Sequence, residues 1–186
     1  MTWKNTEARY GSLSITLHWL MLVMLAAVYA CIELRGQFAR GSDSRLLIVQ
    51  LHFMLGLSVF ALVWLRLLAR SLGVTPKIEP TPALWQRLGA SAMHWALYAL
   101  MIAMPVLGWL ILSGEGKPVP FWGLQLPHLI APNRELAAQI QDWHISVGTW
   151  GYWLIGLHAV AGLFHHYVIR DNTLRRILPG PAPERH

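Results

Sequence analysis

The chain has 186 residues, of which 55% are hydrophobic and only 13% charged, and its mean hydropathy is +0.41. Soluble domains carry nearer to about 25% charged residues, so an ordinary water-soluble fold is excluded. The net charge of +6 raises nucleic-acid binding, but its distribution along the chain removes that reading.

Four stretches reach the roughly 20 apolar residues that a membrane-spanning helix requires: about 13–32, 46–68, 88–112 and 144–169. They leave little chain for a soluble module, and the expectation is one transmembrane domain over residues 1–186. The first stretch follows Tyr10-Gly11-Ser12, a plausible cap, and precedes a loop broken by Gly36 and Gly41. Its length and its internal His18 argue for a retained span rather than a cleaved leader. The second ends with Arg66 and Arg70, which are expected to snorkel toward headgroups. A proline-rich connector, Thr75–Pro82, leads to the third stretch, where Pro105 and Gly108 predict a kink. The loop Ser113–Asp142 is the longest, and within it Asn133–Gln141 reads as a helical lead into the fourth stretch.

With the N-terminus placed in the cytoplasm, the inner segments hold ten Lys and Arg (Lys4, Arg9, Arg66, Arg70, Lys77, Arg87, Arg170, Arg175, Arg176, Arg185) against four acidic residues. The outer loops hold Arg35, Arg40, Arg45, Lys117 and Arg134 against five acidic residues. This is the positive-inside bias; it predicts that both termini are cytoplasmic. The single cysteine, Cys31, excludes an internal disulfide and a CxxC centre. Trp85, Trp122 and Trp143 suit the interfacial aromatic belts. Trp19, Trp95, Trp109, Trp150 and Trp153 lie within the spans, where packing against lipid is the simplest role.

His18, His52, His144 and His158 lie inside the apolar stretches, where an ionisable ring is costly and marks a functional site. His144 and His158 are 14 residues apart, about 21 Å along a helix and about 40° around it, so they share a face. Span direction then matches His18 with His158 near the inner surface and His52 with His144 near the outer. Crossed pairs would stand about 20 Å apart in depth. Opposed imidazoles are the axial ligands of a six-coordinate haem iron. His52, His144 and His158 are each followed one turn later by glycine (Gly56, Gly148, Gly162), which permits close approach of a flat macrocycle. His94 is left without a partner, and a quinone, a propionate or a neighbouring helix is its candidate contact. His165 is the competing ligand, with His166 beside it at the inner interface. His128 and His186 are expected to face solvent.

Several motifs carry a resemblance to a known family: Ser14-Ile15-Thr16-Leu17-His18-Trp19-Leu20, Glu33-Leu34-Arg35-Gly36, Trp143-His144, Gly156-Leu157-His158-Ala159, His165-His166-Tyr167 and Asp171-Asn172-Thr173-Leu174. Together they resemble the bacterial cytochrome b561 family over nearly the whole chain. The resemblance implies an all-α, four-helix bundle of the bacterial inner membrane with two haem b groups, ligated by His18 with His158 and by His52 with His144. It also implies oxidation of superoxide at the periplasmic face and delivery of the electrons to ubiquinone. Arg35, Arg40, Arg45 and Lys117 are candidate outer cations for drawing in the anion. The alternatives are a haem subunit relaying electrons from a partner dehydrogenase or hydrogenase to quinone, and a histidine-lined metal transporter.

Overall fold

A computed structural model describes residues 2–180; Glu184, Arg185 and His186, used above in the charge and histidine readings, lie outside them. Four helices are long and apolar enough to cross a membrane: α1 (Ser12–Leu34), α2 (Asp43–Leu72), α3 (Leu84–Gly114) and α4 (Arg134–Phe164). Their ends follow from capping. The Ser42 hydroxyl accepts from the Arg45 N–H before α2, and the Asn133 carboxamide accepts from the Leu136 N–H before α4. At α3 the Gln86 side chain reaches back to the Ala83 N–H. α1 tightens into a 3-10 turn at Arg35–Gln37, and α4 widens into a π turn at His165–Ile169, closed by Arg170 at φ 60°. Residues 134–141 belong to α4 itself, continuous with the span they precede.

The fold is mostly helical, as expected, with one addition. The loop after α3 holds a two-stranded antiparallel hairpin, β1 (Val119–Phe121) with β2 (Leu124–Leu126). Its two turn residues, Trp122 and Gly123, both have positive φ (46° and 88°), as a tight hairpin turn requires. Glycine accepts that conformation freely; tryptophan does so only because its indole is anchored, donating to the Ser58 hydroxyl at 2.9 Å.

Contacts divide the described residues into two compact units, each drawing on all four helices: residues 2–20, 64–98 and 152–180 form the first, and 21–63 and 99–151 the second. In the second, Leu57, Leu112 and Val119 form a buried cluster flanked by Phe53, Trp109, Phe121 and Leu126, so the hairpin packs on α2 and α3. The Trp109 indole donates to the Pro127 carbonyl, and the fully buried Ser113 hydroxyl accepts from the Leu129 N–H. The loop after α3 is thereby fastened to the helices.

In the first unit, the segment before α1, the connector 73–83 and the turn after α4 are laced together. Asn172 exchanges two bonds with the backbone of Glu79 (2.9 and 3.1 Å), the Lys77 N–H donates to the Glu7 carbonyl, and the Tyr10 N–H donates to the Arg176 carbonyl. Arg176, counted above among the inner cations, is buried: its guanidinium bonds the Pro76 carbonyl and lies over the Tyr10 ring. The Trp19 indole also leaves the lipid-packing role, donating to the Ile177 carbonyl at 2.9 Å.

Candidate functional site

Two histidine pairs come together, one in each unit. In the second unit the His52 ring on α2 and the His144 ring on α4 have centroids 6.2 Å apart, with planes at 74°. His52 Nδ1 lies 3.0 Å from the Val28 carbonyl. A carbonyl only accepts, so Nδ1 carries the proton of the neutral ring and Nε2 keeps its lone pair. His144 Nδ1 is buried and without a hydrogen-bond partner. Gly108 of α3 lies against this ring, with a Cβ there falling at ordinary contact distance, 3.6 Å from His144 Cε1.

In the first unit the His18 and His158 centroids are 6.3 Å apart, with planes at 68°. Two further groups crowd this pair. His94, expected to be without a partner, stands 5.5 Å from His158, centroid to centroid. Arg66, expected to snorkel away, instead places Nη2 3.0 Å from His18 Nδ1 and buries an Nη1 that meets no partner. A guanidinium only donates, so this His18 nitrogen is the acceptor. A sequence signal for Arg66 existed: it precedes the end of an apolar stretch by two residues, where charge at membrane depth is itself informative.

His165, the expected competitor for a ligand role, is committed elsewhere. Its Nδ1 donates to Asp171 Oδ2 at 2.5 Å, and the buried Asp171 also accepts from the Thr173 N–H. Burial by itself would push the Asp171 carboxyl up; the His165 and Thr173 bonds outweigh it and hold the group below its ordinary value. His166 keeps a buried Nδ1 without a partner, and the exposed His128 bonds the Lys117 carbonyl.

Of the glycines one turn past the histidines, Gly56 and Gly162 have nothing within 4 Å of a hypothetical Cβ, while Gly148 faces Met104 Cε at 3.2 Å. The four candidate cations also separate. Arg45 donates to the Arg35 and Phe38 carbonyls and so serves its own loop. Lys117 pairs with Glu115 at 3.0 Å. Arg35 and Arg40 keep exposed guanidinium groups.

Comparison with known proteins agrees over nearly the full length. A family model described as prokaryotic cytochrome b561 matches residues 9–180. Cytochrome b561 homolog 1 of Escherichia coli K12 is 40% identical over 171 residues, covering 92% of this chain and 97% of that protein. A Yersinia pestis protein named probable superoxide oxidase CybB is 36% identical, with 92% and 96% covered. Cytochrome b561 homolog 2 of Escherichia coli K12 is 29% identical over 183 residues, 96% of this chain and 95% of that protein. With four spanning-length helices and intramembrane histidines on α1, α2 and α4, the chain belongs to the prokaryotic cytochrome b561 family of membrane haem proteins.

Proposed function

We propose that this chain is a dihaem membrane oxidoreductase that takes electrons from superoxide at the periplasmic side of the inner membrane and passes them to ubiquinone. The observation that carries the reading is the spacing within the two pairs, 6.2 and 6.3 Å between ring centres. Two imidazoles on one iron stand about 6 Å apart, ring centre to ring centre: about 2 Å per metal–nitrogen bond and about 1 Å from nitrogen to ring centre on each side. Among the described residues no group of three or more His, Cys, Asp or Glu side chains is arranged to hold a bare ion. An opposed pair of imidazoles at this spacing suits an iron whose other four ligands come from a porphyrin.

His52 and His144 would hold one haem b, and His18 and His158 the other. Haem iron supplies one-electron chemistry when bound. The chain's own groups do the rest. The Val28 carbonyl keeps the His52 proton on Nδ1 and leaves the Nε2 lone pair free for a ligand role. Gly56 and Gly162 leave the helix surface open beside His52 and His158. Arg35, in the turn that ends α1 and with an exposed side chain, is a candidate cation to favour a small anion on the side of the His52–His144 pair. The positive-inside bias of the sequence supports cytoplasmic termini, which puts His52 and His144 on the periplasmic side. The printed name of the Yersinia relative supports superoxide as donor. In the net reaction, two superoxide anions each give up one electron, and one ubiquinone with two protons becomes ubiquinol.

The test is direct. Purified protein should show a reduced α band and two haems per chain, and stopped-flow mixing with superoxide should reduce them, with reoxidation by added ubiquinone. A coloured protein inert to superoxide would return the donor role to a partner dehydrogenase or hydrogenase. A colourless one would overturn the proposal.

A further inference from the structure

Two consecutive residues of α1 reach both helices that carry the His52–His144 pair. Neighbours on a helix point about 100° apart, so one residue can engage α2 while the next engages α4. Val28 does the first through its carbonyl, 3.0 Å from His52 Nδ1. Tyr29 does the second: its hydroxyl donates to the Gly148 carbonyl at 2.9 Å, one turn beyond His144. In a regular helix that carbonyl already accepts from the N–H four residues on, so α4 does not need the bond to stay helical. What the bond fixes is the placement of α4 against α1.

The local sequence is shaped to admit this contact. Gly151 is buried, and a Cβ there would overlap the Tyr29 hydroxyl while coming within 3.3 Å of Leu100 Cδ2. Any larger residue at 151 would drive the tyrosine off the helix. A phenolic hydroxyl within a span must also find an acceptor, and among available backbone carbonyls this one lies beside a proposed ligand.

We infer that Tyr29, seated on Gly148 and Gly151, is a positioning residue for the His52–His144 pair: it sets the height and rotation at which α4 presents His144 to a His52 already oriented from the same turn of α1. This rests on the reading that the pair ligates haem. The His18–His158 pair is held differently, since His18 Nδ1 meets the Arg66 donor instead of a carbonyl. The effect is therefore confined to one pair.

The experiment uses purified holoprotein with Tyr29→Phe, which keeps the ring, and Gly151→Ala, which displaces it. His52→Ala identifies which redox wave and which low-spin EPR signal belong to this pair. Expected in both variants are a moved wave, a shifted or broadened EPR signal, and haem retention at this pair weakened about 10-fold or more, as for other supports of metal-bound histidine. The other haem's wave should stay in place. If Tyr29→Phe superposes on the parent in both signals, the positioning role is overturned. If both haems shift alike, the contact is a general packing one and the inference also falls. Should Gly151→Ala fail to accumulate, Tyr29→Phe and its EPR signal still decide the matter. A parent protein without two haems would instead refute the functional reading above.

Discussion

Arg66 donates to Nδ1 of His18 at 3.0 Å, whereas the Val28 carbonyl accepts from Nδ1 of His52 at the same distance. The two pairs thus have opposite polarity behind an otherwise similar spacing. On the proposed ligation through Nε2, His18 Nδ1 would carry a proton, and the Arg66 guanidinium would have to turn away from it.

Arg66→Gln should therefore be tolerated, and informative. The glutamine carbonyl can accept from Nδ1–H, and a positive charge beside the pair is removed; both changes favour the oxidised iron. The midpoint potential of the haem assigned to His18 and His158 should fall while the other holds. A redox titration measures this, and an unchanged or raised potential would contradict it.

His94 stands nearer to His158 than His18 does, 5.5 against 6.3 Å between centroids, so ligand identity needs a direct trial. His18→Ala should lose one of two haems, and His94→Ala should keep both. Haem-to-protein ratios from a pyridine haemochromogen assay decide it. The reverse pattern would make His94 the ligand.

Gly56 and Gly162 have open space where a side chain would grow. Gly56→Leu and Gly162→Leu should each cost one haem, from the His52 and His158 sites respectively, without loss of helix content. Circular dichroism beside the haem ratio separates blocked binding from misfolding. Full haem occupancy in both variants would show that the porphyrins lie elsewhere.

Asp171 is buried and held ionised by His165 and Thr173, its pKa below the ordinary 3.8. A depressed carboxyl contributes stability that is complete above the unfolded value and disappears as pH falls through the folded one. Asp171→Asn should cost about 1–3 kcal/mol at neutral pH through lost or mismatched hydrogen bonds. Its melting temperature should then fall less steeply than the parent's below about pH 4, where the parent loses this contribution. Parallel melting curves across that range would count against it.

The histidine pairs were legible in advance because they depend on two robust quantities. One is the apolar length that makes a span; the other is the 1.5 Å rise that converts His144 and His158 into separate depths. Contacts that depend on helix rotation were not legible. Arg66 reaches His18, and Tyr29 reaches Gly148, through facings that no spacing within a single helix encodes. Chain reversal hid others: Arg176 reads as a headgroup cation until the segment after α4 folds against Tyr10 and Pro76. The hairpin was masked by Pro118 and Pro120, though Val119–Phe121 and Leu124–Leu126 flank a two-residue Trp-Gly turn, a pattern with a known signature.

Within its most apolar window, α4 buries 6% of its residues, against 17%, 22% and 28% for α1, α2 and α3. Yet this helix supplies one histidine to each pair. Its own backbone bonds keep the helix ordered in lipid, and on the proposed reading the porphyrins would add the contacts that hold α4 to its neighbours. Cofactor supply would then govern biogenesis as well as redox function: cells starved of haem should accumulate a chain whose α4 is cut first by protease, and haem should restore its resistance.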